Sequence, residues 1–350
     1  MGLPPLVSVV LPTYNRATCL RSAIDSVRDQ SYQNWELLIV DDRSTDGTAA
    51  LAASFGKLDP RIRYLKNDRS RGAGGARNRG IEEAGGEFVA FLDSDDRWYP
   101  QHLERTLAHF EAHPEVSLVG SEHWRINRLT GERKTTTGYL LGMIEVWEKD
   151  PIARRAIRAD DIRKDIRCIS DRDHIISFLI GGFLWLQTST VVIRRRVFDK
   201  IGTFNERLVR YEDYEFWLRI NGSFRIGFQP EPQGEFDITG LDEMEGDRYA
   251  TYERERVSPT IDRLFYNLSL LRGLSSLRLR RRFGYGDELS ADQKRFLWDR
   301  LRNLHRKIAF YYQQTDKRRA ALHHLRAARY RPKDVVYFLH MPRHFLTHPY

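Results

Sequence analysis

Along the first 120 residues the apolar positions switch between two periods. Val7-Ser8-Val9-Val10-Leu11 is a short β-branched run closed by Pro12, and Leu20, Ala23, Ile24 and Val27 then recur at helical spacing. The alternation continues. A strand is predicted at Trp35–Val40, stopped by Asp41-Asp42, then a helix at Thr45–Phe55 with Ser44 or Thr45 as its cap. A strand at Ile62–Leu65, a helix at Ala76–Ala84, a strand at Phe88–Leu92, a helix at Pro100–Ala112 and a strand at Ser117–Gly120 follow. Strands alternating with helices predict an α/β fold, a mostly parallel sheet with helices on both faces. In such sheets ligands bind beyond the carboxyl ends of the strands. Three polar clusters fall at those ends: Pro12 to Arg16, Asp41 to Ser44, and Asp93 to Asp96.

Further along, the pattern weakens. Thr130 to Arg172 is polar, charged and poorly periodic, and reads as an insertion. Gln187–Ile193 is predicted as a strand, Arg210–Ile220 as a helix carrying Glu212 and Asp213, and Phe224–Phe228 as a short strand. From about Ser258 the chain reads as helical. Tyr311, Ala320, Ala321, Leu325, Ala328 and Pro332 resemble one tetratricopeptide-like hairpin, which cannot bury its own face and is expected to pack on the rest of the chain or on a partner.

Composition narrows the class. With 41% apolar and 12% aromatic residues in 350, the chain is globular and not disordered. The two cysteines, Cys19 and Cys168, have no CxxC partner, which speaks against a disulfide framework or a zinc site and for a reducing, cytoplasmic setting. Met1 to Pro5 lacks the basic region of a secretory signal. Ile175 to Ile193 is uncharged over 19 residues, but Gly181, Gly182 and the run Gln187 to Thr190 weigh against a membrane span, and Gln187 to Ile193, dominated by β-branched residues, reads better as a strand. Charge is placed unevenly: Ser276 to Tyr350 holds 18 Lys/Arg against 6 Asp/Glu, the remainder 39 against 42. A basic C-terminal quarter signals an anionic partner. Anionic membrane headgroups fit it better than nucleic acid, for which no binding motif is present, and a merely solvated helical face is the plain alternative.

The candidate chemistry sits in the polar clusters. Asp93-Ser94-Asp95-Asp96 follows an apolar strand, and closely spaced carboxylates there are costly unless a cation offsets them. Hard oxygen ligands suit magnesium or manganese, which would bridge to a substrate diphosphate. Taken alone, the run also reads as an acidic turn. A carboxylate at Asp41 or Asp42 is suited to hydrogen bonds from a base or ribose, and Tyr14 to flanking a base; each also reads as turn or packing. Arg71-Gly72-Ala73-Gly74-Gly75-Ala76-Arg77-Asn78 joins a flexible loop to two guanidinium groups suited to phosphate. It is neither a dinucleotide GxGxxG nor a Walker loop.

Together these pieces resemble the inverting family 2 glycosyltransferases. Val7 to Arg16 is similar to the family's opening, and Val40-Asp41-Asp42-Arg43-Ser44-Thr45-Asp46-Gly47-Thr48 to its second motif. Gly75-Ala76-Arg77-Asn78 and Phe91-Leu92-Asp93-Ser94-Asp95-Asp96 are similar to the third and fourth. The resemblance covers Leu6 to about Phe228 and implies a Rossmann-like sheet of the nucleotide-diphospho-sugar transferase type joined to an acceptor half. It implies a nucleotide-sugar donor, UDP being the family's commonest nucleotide. Pro12, Tyr14 and Asp42 or Asp41 would frame the nucleoside, with Asn15 and Arg16 beside them. Arg77 would sit near the diphosphate, Asp93 and Ser94 on the donor side, and Asp95, with Asp93, at a Mn2+ or Mg2+ ion. Ser189-Thr190-Val191-Val192-Ile193 and Ile201 to Glu206 resemble the approach to the catalytic helix, and Glu212-Asp213 the acidic pair at its start. An inverting transfer needs one carboxylate to take the acceptor hydroxyl's proton; Asp213 is the expected base, with Glu212 assisting. The acceptor is expected to be a glycan or lipid-linked glycan.

Two departures stand out. No histidine occurs between Asp213 and Ala250, where many relatives carry one, and Glu235 and Asp237 occupy that stretch. The QxxRW signature of processive synthases is missing. The expected organisation is a catalytic domain over 1–255, with a nucleotide-binding half over 1–120 and an acceptor half over 121–255, and a basic helical region over 256–350. That region is the expected contact with the inner face of a membrane, and association into a homo-oligomer is left open. A nucleotidyltransferase on a similar fold would carry a Gly-rich basic loop where Pro12-Thr13-Tyr14-Asn15 stands. A peripheral basic binding protein with a degenerate, non-catalytic fold is the other class, disfavoured by the joint presence of Asp42, Asp95 and Asp213.

Overall fold

The computed structural model describes residues 4–135, 186–206, 212–221 and 223–239, with positions 291, 295 and 302. In chain order the elements are β1 (Val7–Thr13), α1 (Leu20–Arg28), β2 (Trp35–Asp41), α2 (Thr48–Leu58), β3 (Ile62–Lys66), α3 (Ala73–Glu83), β4 (Phe88–Phe91), β5 (Arg97–Trp98), α4 (His102–Ala112), β6 (Val116–Ile126) and β7 (Arg133–Thr135). A 3-10 turn (Thr188–Thr190), β8 (Val192–Arg194), α5 (Arg196–Ile201), α6 (Glu212–Asn221) and β9 (Arg225–Asp237) complete them.

The strands form one sheet in the order β3-β2-β1-β4-β8-β6-β9-β5, with β7 on β6. β1 is buried at every position, as a strand covered on both faces must be. One face carries Val7, Val9 and Leu11 of β1 with Leu37 and Ile39 of β2. These pack under Ile24 and Val27 of α1, Phe55 of α2 and Leu103, Leu107 and Phe110 of α4. On the other face Gly80 brings α3 against Val10, and Phe91 meets the rings of Phe204 and Trp217. Helices therefore cover both faces, as the periodicity predicts.

The sheet is more mixed than expected. β1 pairs in parallel with both β2 and β4, β2 with β3, and β6 with β9. β8, however, enters antiparallel between β4 and β6, and β5 and β7 are antiparallel edges. The predicted strand Gln187–Ile193 is split: Thr188–Thr190 winds into a 3-10 turn, and only Val192–Arg194 forms ladder pairs. α2 begins at Thr48, not Thr45, with no side-chain cap, because Ser44 and Thr45 are spent on the neighbouring loop. The predicted insertion beyond residue 135, the first half of the uncharged run 175–193, and the helical region from 256 with its hairpin lie outside the described residues. No described helix is long and apolar enough to cross a membrane.

Candidate active site

Because β1, β2 and β4 run parallel, the three polar clusters emerge on one rim. The first two loops are stitched together. The Asn15 amide donates to Ser44 Oγ at 2.9 Å, the Thr45 amide to Asn15 Oδ1 at 2.8 Å, and the Arg16 amide to Thr48 Oγ1 at 2.7 Å. Asn15 and Arg43 take positive φ, 49° and 69°, which these side-chain bonds hold against the steric preference of non-glycine residues.

Asp41 and Asp42 are both buried and divide their work. Asp41 accepts from the Ser44 amide and from Tyr64 Oη, each at 2.8 Å; burial and then that carboxylate push the Tyr64 phenol up to about 12. Asp42 accepts from Asn67 Nδ2 and from the Gly72 amide, each at 2.7 Å, and so pins the loop 67–72 to the end of β2. At the loop's turn Gly72 has φ 113°, a conformation that needs glycine. Arg71 Nη2 donates to Tyr14 Oη at 3.1 Å with the guanidinium 5.3 Å from the ring centroid. The loop's other side is fixed by Glu206, which accepts from Arg69 Nε at 2.5 Å, Ser70 Oγ at 2.5 Å and Asn78 Nδ2 at 2.8 Å. Asn78 also pairs both ways with the Phe204 backbone, each bond 2.9 Å.

The acidic turn after β4 holds four side chains in different settings. Arg16 Nη2 lies 3.4 Å from Asp95 Oδ2. Burial, then the Asp93 charge, raises Asp95 above the usual carboxylate range, with Arg16 opposing. Asp96 is enclosed, accepts from the Ser189 hydroxyl and the Asp237 amide, and is raised well above that range by burial and then by Asp95 and Asp93. Ser94 is buried between them. Asp93 is joined to the start of α6 by a buried arginine: Arg77 donates from Nη2 to Asp93 Oδ1 at 2.8 Å and from Nη1 to Glu212 Oε1 at 2.7 Å. Burial and the adjacent Asp213 raise Glu212 to about 7 against the opposing pull of Arg77. Asp213, half-buried, accepts from Thr188 Oγ1 at 3.1 Å. Arg77 was expected beside a diphosphate; its two terminal amino groups are here given to carboxylates. Pro12 lies inside β1, opposite Val40.

The donor set fits a hard divalent ion. Neighbouring carboxylate charge works against ionisation of Asp95 and Asp96, a positive charge relieves this, and magnesium is ordinarily held by one or two carboxylates plus phosphate oxygens. Among the described residues no group of three or more His, Cys, Asp and Glu stands ready to enclose a metal. Asp95, with Asp93, would hold such an ion only together with substrate oxygens.

Sequence reasoning missed the fixing partners. Asn67 and Thr188 carry no periodicity signal and reach the site over long sequence separations, whereas Glu206 and Asp237 fall in stretches the sequence marks without showing which partners they hold. Asn78 and Ser189 stood inside quoted motifs, but without a role.

A mixed sheet covered on both faces, with an acidic turn after β4 and a carboxylate pair on a facing helix, is the nucleotide-diphospho-sugar transferase architecture. It matches S. aureus TarS 1–349 in complex with UDP at TM-score 0.52 and 18% identity, covering 96% of this chain and 92% of that one. It also matches the mannosyltransferase PcManGT from Pyrobaculum calidifontis in complex with GDP-Man and Mn2+, at TM-score 0.53 and 16% identity, covering 96% and 84%. At these identities the likeness is one of fold. The model of glycosyl transferase family 2 matches residues 8–171 of this chain. Among curated relatives, the amylovoran biosynthesis glycosyltransferase AmsB of Erwinia amylovora is 28% identical over 224 residues, 63% of this chain and 65% of that protein. The UDP-Glc:alpha-D-GlcNAc-diphosphoundecaprenol beta-1,3-glucosyltransferase WfgD of Escherichia coli is 45% identical over 103 residues, 29% and 40% respectively. The chain thus spans less than two thirds of the length of these relatives.

Proposed function

We propose that this chain transfers a sugar from a UDP-sugar to a hydroxyl of a glycan or lipid-linked glycan in polysaccharide biosynthesis, with inversion at the anomeric carbon. One observation carries the reading: the buried Arg77 joins Asp93, on the donor rim, to the buried Glu212, at the head of α6. Two carboxylate groups far apart in sequence are thereby held at one place, which a structural turn and a helix end would not require. The UDP-glucose in WfgD's name and the UDP bound by TarS support a UDP-sugar donor for this chain, and the amylovoran biosynthesis of AmsB supports a polysaccharide setting.

In this reading Tyr14, Asp41, Asp42 and the pinned loop 67–72 form the nucleoside side of the site, with Asn15 and Arg16 at its edge. Asp93 and Ser94 face the donor sugar. Asp213 takes the proton of the acceptor hydroxyl as that oxygen bonds to the anomeric carbon and the bond to the diphosphate breaks. Glu212, tied to Arg77, fixes the angle at which α6 presents Asp213. A magnesium or manganese ion at Asp95, with Asp93 beside it, would supply the charge that offsets the departing diphosphate. The basic C-terminal quarter is the contact with an anionic membrane, where a lipid-linked acceptor resides.

The test is a thermal-shift screen of UDP, GDP and dTDP, each with and without MnCl2. UDP with manganese should stabilise most, by about 2.7 kcal/mol at a hundredfold excess over Kd. Asp95→Ala should abolish the manganese-dependent part and leave the metal-free response. Equal responses of the unsubstituted chain with and without manganese remove Asp95 as a metal ligand, and a response to GDP or dTDP alone removes the UDP assignment.

A further inference from the structure

Thr188, Ser189 and Thr190 form a 3-10 turn, and all three are buried, at 2%, 4% and 3% exposure. Buried hydroxyls need partners, and for Thr188 and Ser189 the partners are the site's own acids. Ser189 Oγ accepts from the Asp93 amide at 3.0 Å and donates to Asp96. Thr188 Oγ1 donates to Asp213 Oδ2 at 3.1 Å. The turn itself is held on every side. Trp98 Nε1 donates to the Ser189 carbonyl at 2.5 Å, Thr190 Oγ1 to the Gln187 carbonyl at 2.8 Å, and the Val191 amide to the Thr188 carbonyl at 3.1 Å. The Phe91 amide then bonds the Val191 carbonyl at 3.1 Å, so the turn is riveted to the strand that carries the acidic cluster. A threonine on a fixed backbone has few rotamers, so its hydroxyl direction is set before any substrate arrives.

We propose that Thr188 is the positioning residue for Asp213, and that the turn 188–190 sets the distance and angle between the base and the acidic rim. This rests on Asp213 being the base. α6 brings Asp213 to the site from a separate element, and a carboxylate on a helix end can swing about two side-chain torsions. The hydroxyl of Thr188 holds Oδ2 and thereby turns the other oxygen's lone pairs in one direction. During transfer that carboxylate gains the acceptor's proton, the acceptor oxygen gains the bond to the anomeric carbon, and the electron pair of the broken bond leaves with the nucleoside diphosphate. Thr188 gives up no proton and touches no substrate. Its effect is on the orientation of the base, where a displacement of about 1 Å costs on the order of a hundredfold in rate.

The experiment compares Thr188→Val, which keeps the shape and removes the hydroxyl, with Thr188→Ser, which keeps the hydroxyl, and with Asp213→Asn. Each variant is titrated with UDP and MnCl2 in a calorimeter, and kcat and donor KM are read from UDP release with UDP-glucose or UDP-N-acetylglucosamine, using whichever the unsubstituted chain turns over faster. Thr188→Val should lower kcat by at least about tenfold while UDP affinity and donor KM change less than twofold, and Thr188→Ser should restore most of the rate. An unchanged kcat in Thr188→Val beside a dead Asp213→Asn overturns the positioning role and leaves the base in place. Loss of UDP binding along with rate in Thr188→Val, unrescued by Thr188→Ser, makes the threonine a folding residue and also overturns it. Asp213→Asn equal to the unsubstituted chain, whether both turn over or neither does, removes the reading of Asp213 on which the proposal stands.

Discussion

Glu206 is one carboxylate that holds several structures at once. Burial alone would push it up, but hydrogen bonds from Asn78, Ser70 and Arg69, with the Arg69 charge, outweigh that and bring it to about 2. A carboxylate lowered in the folded state contributes stability that is present above its unfolded range, near 4.3, and is lost as pH falls through about 2. Thermal unfolding followed between pH 7 and pH 2 should therefore fall more steeply in the native chain than in Glu206→Gln. At neutral pH Glu206→Gln should melt several degrees lower, because hydrogen bonds to charged groups are worth ~1.5–3 kcal/mol. Parallel curves would show that the carboxylate's charge adds nothing. The residue types of the site were legible from sequence, since carboxylates at strand ends announce themselves. Their partners were not: Glu206 stands in the stretch that leads toward the acidic pair, but nothing local shows that folding brings Arg69 to it.

At the level of elements, α3 shows where glycine is a packing requirement. A methyl group at Gly80 would stand 2.3 Å from Val10 Cγ1, and one at Gly75 would stand 1.9 Å from the Ser70 carbonyl oxygen. Gly80→Ala should cost about 1–3 kcal/mol through overpacking against β1 and leave UDP affinity unchanged. Gly75→Ala should also displace the loop 67–72 and weaken UDP binding roughly tenfold, about 1.4 kcal/mol. Denaturant unfolding and calorimetry on both variants check the contrast, and equal UDP affinities in the two would detach the loop from donor binding. The early helices and strands were readable because local periodicity specifies them. β6 and β9 were read too short for a physical reason. β6 buries Ser121, Glu122 and His123, so its burial does not follow its polarity. In β9 the register shifts beside Pro230 and Pro232, and prolines ordinarily argue against a strand.

For the whole molecule, the uneven charge makes its own claim. With 18 Lys/Arg against 6 Asp/Glu after residue 275, the C-terminal quarter should draw the chain to anionic bilayers at about 1 kcal/mol per basic group near the surface. Deleting the chain after Ser276 should cut co-sedimentation with phosphatidylglycerol vesicles several-fold at ~0.1 M salt, with little change on neutral vesicles. Equal sedimentation of the full and shortened chains would make those charges a solvated face. The Asn78–Phe204 and Glu206 ties have a further reach. They lock the third motif to the segment that leads into α6, so the halves flanking residue 120 are not exchangeable parts. A chimera that imports a relative's first 120 residues to change nucleotide preference would inherit a mismatched seam at Asn78, Phe204 and Glu206. Grafts that carry these positions together should fold, whereas grafts that split them should fail before specificity is ever tested.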